Sequence, residues 1–415
     1  MPNSLPLDAF DLGADAVRGR FDWAVRQGHP HWLWPDTTIE AWQAVLPQFE
    51  GVARQVLTGG YAGEPLRGRP GDIGVAGYTS GMGPLLGAWL RHGLIGASAS
   101  VGAILELQYR HNGLRMEAMA RRAVAVVDAL ALSGVATVVL KGMDTAWSVF
   151  PDPATRPLSD LDLLIDPSDE PAANEILRGM GLVPGGVGRY PPARNWRKAD
   201  APSTPRTLAF VHRSDPWSVD LQTSLNRRYS YGAPVIELDR LLAAAALEPW
   251  SLSPSARTLA AEARVVHLAC HASCGLESLT LLRMVELAIA IRGRASFGWD
   301  RFTELGERTG ALAMTYPALR LTEQLVPGTV PQEVLGLCER EVPARVRRVI
   351  ELLAPHNAQR VLRCSLEERF MWTPTPLRRL LQIVRELHPP GLTVLALPAI
   401  YRARAWRLLR GTLTR

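Results

Sequence analysis

The sequence predicts an α+β fold: a small mixed β-sheet embedded in a largely helical chain, with helical N- and C-terminal lobes. Three observations carry the prediction. Short apolar runs with strand alternation cluster between about 136 and 224, at Val138-Val-Leu140, Leu161-Asp-Leu-Leu-Ile165 and Val219-Asp-Leu221. Long stretches on either side, 84–132 and from about Ser255 to Cys364, space their apolar residues at the helical period. Finally, 415 residues with 47% hydrophobic content can bury one large core or two, which suits a chain of two or three lobes. The expected divisions are 1–83, 84–250 and 251–415.

Residues 1–58 are rich in tryptophan (Trp23, Trp32, Trp34, Trp42) and hold a helix near 38–57. Glycines and prolines from Gly59 to Gly83 read as a connector. Helical spacing resumes at Pro84, and the stretch from Val101 to Leu132 reads as one long helix stopped by Gly134. It feeds Val138-Val-Leu-Lys-Gly142, an apolar strand ending where a missing side chain lets the backbone approach a phosphate. Among 46 lysines and arginines only Lys141 and Lys198 are lysines, so a lysine beside this turn suggests that a compact point charge is needed.

The run Arg156-Pro-Leu-Ser-Asp-Leu-Asp-Leu-Leu-Ile165 is the most informative. Alternation sends Asp160 and Asp162 to one side of a strand and Leu161, Leu163 and Ile165 to the other. Two carboxylates about 7 Å apart repel unless a cation or a shared proton lies between them. Downstream, Leu208–His212 and Trp217–Ser224 read as strands joined by the turn Arg213-Ser-Asp-Pro216. Val219 and Leu221 share a face, so Asp220 points the other way. A third carboxylate on an adjacent strand would complete an oxygen cage suited to Mg²⁺.

Between these strands, Ser168-Asp-Glu-Pro171 is a helix start, with Gly179 or Gly181 as its end. The segment from Pro184 to Pro205, with Arg189, Arg194, Arg197 and Lys198, reads as a long loop, either a flap over the nucleotide or acceptor or a plain insertion. Further on, His267, Cys270, His271 and Cys274 fall on one helical face. Seven residues of straight helix span about 10 Å, so these four side chains do not converge on one zinc ion. One histidine, His267 or His271, facing a nucleotide cleft is the better reading, against a packed core histidine. Glu286 on the next helix is placed to bond one of those histidines or to support Arg283. The terminal run Tyr401–Arg410 is basic and follows apolar Leu392–Ile400. It suits an anionic surface or a solvated terminal helix.

Composition bounds the setting. No stretch reaches the ~20 apolar residues of a membrane span, and the N-terminal residues lack a basic start and an apolar core. Four cysteines are too few for a disulfide framework, and a cytoplasmic location is expected. A net charge of +6 favours anionic partners such as nucleotides, but is too modest to predict nucleic-acid binding.

A strand ending in Leu-Lys-Gly142, then Arg156-x-x-Ser-Asp-Leu-Asp-Leu-Leu164, then Val219-Asp-Leu221 resembles the uncharacterised nucleotidyltransferase family of the DNA polymerase beta-like superfamily. The resemblance covers roughly 100–320. It implies that Asp160, Asp162 and Asp220 hold metal, two Mg²⁺ ions with Mn²⁺ as a substitute. It further implies that Lys141, Gly142, Arg156, Ser159 and His267 contact a nucleoside triphosphate. The chain departs from the family pattern at Met143, where the turn usually continues with glycine or serine. It departs again at Gln222, where relatives tend to carry histidine, and at Glu286, where they prefer aspartate.

The expected reaction is transfer of a nucleoside monophosphate from the triphosphate to an acceptor hydroxyl on a peptide, sugar or small molecule. Natural-product or polysaccharide biosynthesis is the context the family suggests. Asp220 is the candidate general base, and Lys141 and Arg156 would stabilise the departing pyrophosphate. Arg156 pairing with one of the aspartates is the competing reading of that residue. Two rival functions come from other classes: a catalytically degenerate nucleotide-binding module, and a helical adaptor of a biosynthetic complex.

Overall fold

The computed structural model describes residues 37–189, 192–199, 217–228, 233–244, 247–276, 279–294, 296–359 and 365–387. Trp23, Trp32, Trp34, the strand expected at 208–212 and the basic run 401–410 lie outside the described residues.

The described chain opens with helices α1 (Ile39–Gln43) and α2 (Leu46–Gly59), followed by α3 (Pro70–Ser80) and α4 (Gly83–Arg91). Helix α3 corrects the expected connector. Its Gly77 sits at a close approach: a Cβ there would lie 2.9 Å from Gln108 Oε1 and 3.0 Å from Gly83 Cα. In α4 a Cβ on Gly87 would clash with the Leu105 carbonyl oxygen. Glycine density here records helices packed backbone to backbone. The partner is α5 (Ala99–Leu132), 34 residues long, or about 50 Å at 1.5 Å per residue. The Ser98 hydroxyl caps its start by accepting from Val101 N–H, and Gly134 turns the chain at φ 81°.

Helix α5 feeds the sheet. Its strands are β1 (Thr137–Leu140), β2 (Asp160–Leu164), β3 (Leu182–Arg189), β4 (Pro192–Lys198), β5 (Ser218–Gln222), β6 (Leu247–Trp250) and β7 (Ser253–Leu259). The spatial order is β3-β4-β5-β2-β1-β7-β6. Helix α6 (Lys141–Ser148) follows β1 directly, α7 (Glu170–Gly179) joins β2 to β3, and α8 (Arg240–Ala244) precedes β6. The sheet is mixed: β2 runs antiparallel to β1 and parallel to β5, while β7 runs parallel to β1.

Two further expectations are corrected. The first is the loop from Pro184, which runs instead through the hairpin β3–β4 as far as Lys198. Pro184 and its neighbouring glycines are accommodated because β3 is an edge strand with a register shift between Pro184 and Val187. The second is the helical region expected from Ser255. Its start is delayed by β7, and helix α9 (Ala261–Ala272) begins only after that strand. Ser-Pro-Ser-Ala-Arg-Thr-Leu has little strand propensity of its own, and its ladder with β1 and β6 supplies the order.

Burial follows the alternation. Leu161 and Leu163 of β2, Val219 and Leu221 of β5, and Trp196 of β4 are buried in a cluster with Met119, Ala123, Val127 and Leu130 of α5. The back of the sheet therefore rests on the long helix, which leaves the aspartates of β2 and β5 on the opposite face. A larger cluster joins α2–α5 to α9, to α10 (Leu281–Arg292) and to the helices beyond, through Phe49, Ile73, Leu86, Leu105, Leu268 and Met284. Among the described residues no helix is long and apolar enough to cross a membrane.

Candidate active site

Strand register assembles the acidic centre. In the β2–β5 ladder Asp162 stands opposite Asp220, and Asp160 opposite Ser218. Carboxylate oxygens of Asp160, Asp162 and Asp220 all lie within 4.8 Å of one another. A sheet with leucines on one face and aspartates on the other explains why two short sequence runs converge at one point.

Each carboxylate has a different neighbourhood. Asp162 is buried, and its Oδ1 faces Lys141 Nζ at 2.6 Å and accepts from Gln222 Nε2 at 2.8 Å. Asp220 Oδ1 accepts from Asn195 Nδ2 at 2.5 Å, across the β4–β5 ladder where the two residues pair. Burial, and next the charges of Asp162 and Asp220, push the Asp160 carboxyl up to about 6 despite Lys141 and Arg156 nearby. Burial likewise raises Asp220, with Asn195 pulling the other way and the Asp162 charge adding to the rise. Acids that raise one another's proton affinity at one point mark a place where a cation relieves repulsion.

Lys141 reaches Asp162 from an unusual backbone. It is the one non-glycine residue with positive φ, 51°, among the described residues, and it sits where β1 turns into α6. The special conformation of this turn therefore belongs to Lys141 rather than to Gly142. A Cβ on Gly142 would come into contact with Arg156 Nη2 and Leu158 Cβ, each at 3.4 Å.

These groups open onto a cavity of about 730 Å³. Of the residues expected from the sequence, Lys141, Gly142, Arg156, Ser159, Asp160, Asp162 and Asp220 all line it. His267 does not. It is 1% exposed, its Nε2 has no hydrogen-bond partner, and the histidine one turn later, His271, lines the cavity instead. Burial first and the Lys141 charge second keep both imidazoles neutral, well below the usual histidine range.

Arg156 pairs with neither aspartate. Its Nε and Nη2 donate to Glu286 Oε1 and Oε2 at 2.9 and 3.2 Å, and the Thr145 hydroxyl donates to the same carboxylate. Glu286 thus orients Arg156 along the cavity wall.

Several lining or supporting residues go unpredicted by the motifs. Gln108 and Arg115 belong to a buried polar row on α5 with His111 and Asn112, spaced at steps of zero, three, four and seven. That spacing was open to reading in the sequence as a polar stripe on an otherwise apolar helix. The row ties down backbone: Gln108 donates to the Gly74 carbonyl, Asn112 to that of Ala154, and Arg115 to that of Leu158. The last two fix the approach to the Asp160-Leu-Asp162 strand. Asn195 and the α3 residues Gly77–Thr79 gave no comparable signal.

A family model described as "Uncharacterised nucleotidyltransferase" matches residues 80–327, more than half of the chain. The matched region includes every cavity-lining residue except Gly77, Tyr78 and Thr79, near the end of α3. No curated protein and no solved structure matches the chain.

Proposed function

The chain belongs to the uncharacterised nucleotidyltransferase family, and from that premise we propose that it moves a nucleoside monophosphate from a nucleoside triphosphate to an acceptor hydroxyl. The observation that carries this reading is the meeting of three carboxylates within 4.8 Å beneath a cavity lined by Lys141, Arg156, Arg115 and Arg283. Oxygen donors in this density fit hard divalent ions such as Mg²⁺ or Mn²⁺. Asp160, Asp162 and Asp220 would hold them. Bound there, the ions would neutralise charge on the reacting phosphate and make the acceptor hydroxyl more acidic.

The protein's own side chains do the rest. Arg156, held in its orientation by Glu286, and Arg283 beside it face the polyphosphate, while the cavity walls exclude bulk water from the reacting groups. The acceptor oxygen attacks the α-phosphorus, a P–O bond forms, and the bond to the bridging oxygen breaks to release pyrophosphate. The hydroxyl proton passes to Asp220, whose second oxygen stays available while Oδ1 accepts from Asn195. A volume of about 730 Å³ accommodates a nucleotide with part of an acceptor, and the acceptor class is a peptide, sugar or small-molecule hydroxyl.

The test is incubation with each nucleoside triphosphate, Mg²⁺ and a panel of acceptors, reading pyrophosphate release and nucleotide adducts by mass spectrometry. Wild type should release pyrophosphate with at least one acceptor, and the Asp160→Asn, Asp162→Asn double variant should not. Triphosphate binding without release in every case would assign a nucleotide-binding module instead. Full pathway output from the double variant would assign an adaptor.

A further inference from the structure

We propose that Lys141 occupies the cation seat at Asp162, so that this site binds a free divalent ion poorly and takes its metal together with a polyphosphate. The inference rests on the reading of the three aspartates as metal ligands, and concerns the order in which the site fills.

Three observations bear on it independently. Lys141 Nζ lies 2.6 Å from Asp162 Oδ1, with side chains only 12% and 5% exposed. The same oxygen also accepts from Gln222 Nε2 at 2.8 Å, so two donors must yield or shift before it can ligate an ion. Buried from water, a divalent ion approaching Asp162 meets an ammonium already in contact, and little solvent screens their repulsion.

The second observation is the backbone. Lys141 holds φ 51° at the β1–α6 junction, where glycine would be unstrained. A β-carbon disfavours this conformation, which sets a side chain here against the backbone's preference. The third is the residue type. With 44 of the 46 basic residues arginine, this position carries a lysine, whose point charge fits a seat sized for an ion where a planar guanidinium would not.

Lys141 also lines the cavity assigned to the polyphosphate. A phosphate oxygen offers its ammonium a replacement anion, so polyphosphate binding draws Lys141 away and leaves Asp162 for the metal arriving with it. Metal and polyphosphate then raise each other's affinity, and removing the lysine side chain removes much of that coupling.

The experiment follows Mn²⁺ binding by electron paramagnetic resonance in wild type, Lys141→Gly and Lys141→Met, each with and without Asp160→Asn plus Asp162→Asn. Lys141→Gly suits the left-handed backbone, and Lys141→Met keeps the bulk if glycine disturbs the turn. Free Mn²⁺ should bind both lysine variants at least about tenfold more tightly than wild type, within the usual range of coupling between sites. The Asn substitutions should abolish that binding. In parallel, biosynthetic ¹³Cε-lysine labelling gives a spectrum of only two lysines, Lys141 and Lys198. The Lys141 signal should hold its position when Mg²⁺ is added alone and move when a non-hydrolysable triphosphate analogue is added with it.

Equal Mn²⁺ affinity in wild type and both lysine variants, lost on Asn substitution in all three, would overturn the inference and leave the aspartates as ligands. Mn²⁺ binding indifferent to the Asn substitutions would overturn the ligand reading and the inference with it. A Lys141 signal that moves with Mg²⁺ alone would likewise overturn the proposed order.

Discussion

Replacing Glu286 by alanine tests how the cavity wall is built. The carboxylate is 2% exposed, receives both Nε and Nη2 of Arg156, and also accepts from Thr145. Its removal leaves a guanidinium that is only 12% exposed with its main counter-charge gone. Breaking one side of a buried pair in this way costs about 3–5 kcal/mol. Arg156 lines the cavity and can turn partly toward water there, so the lower end, about 3 kcal/mol, is the expectation. Urea unfolding of Glu286→Ala, Arg156→Met and the double variant at pH 7 measures it. If the pair acts as a unit, the double variant should be more stable than the sum of the single losses implies, with a coupling of about 1–3 kcal/mol. Additivity within about 0.5 kcal/mol would refute the claim that Glu286 acts through Arg156.

Other outcomes follow from the same geometry. Asp160 has a folded-state value of about 6 against an ordinary 3.8, so the folded chain holds its proton more tightly than the unfolded one. Its stabilising contribution is full below about pH 3.8 and is lost as pH rises through 6, a change of at most about 3 kcal/mol. Asp160→Asn should therefore be more stable than wild type at pH 7, with the difference shrinking toward pH 4, as read by thermal unfolding across that range. Asp162→Asn should lower pyrophosphate release by roughly 10²–10³-fold or more while the far-ultraviolet circular dichroism spectrum is kept. Gly87→Ala should destabilise by about 1–3 kcal/mol or more, because the new methyl meets the Leu105 backbone oxygen, and a melting-temperature series would register it.

What the sequence made legible was the part governed by local alternation. Asp160-Leu-Asp-Leu-Leu and Val-Asp-Leu carry their facing in the pattern, and the structure sets the three acids together. The long helix and its Gly134 stop were equally plain. The remainder depended on partners remote in the chain. Strand β7 gains its order from the β1 and β6 ladders, and Gly-rich α3 is held by packing on α4 and α5, with Gly77 at the closest approach. The choice between His267 and His271 lay beyond periodicity, since both share one helix face and only the packing of α9 decides which reaches the cavity. Nor could a motif reveal that Lys141 rather than Gly142 takes the left-handed conformation, because glycine is the residue that ordinarily does so.

Strand β7 begins at Ser253, 113 residues after β1 ends at Leu140, yet it pairs with β1, the strand that delivers Lys141. A fragment ending at residue 250 would leave a row of β1 amides and carbonyls bare beside the acidic centre, an invitation to pair with foreign strands. It would also take away the helix that bears Glu286. Anyone trimming this protein to a minimal catalyst should cut well beyond α10, and should expect shorter versions to aggregate rather than merely slow down.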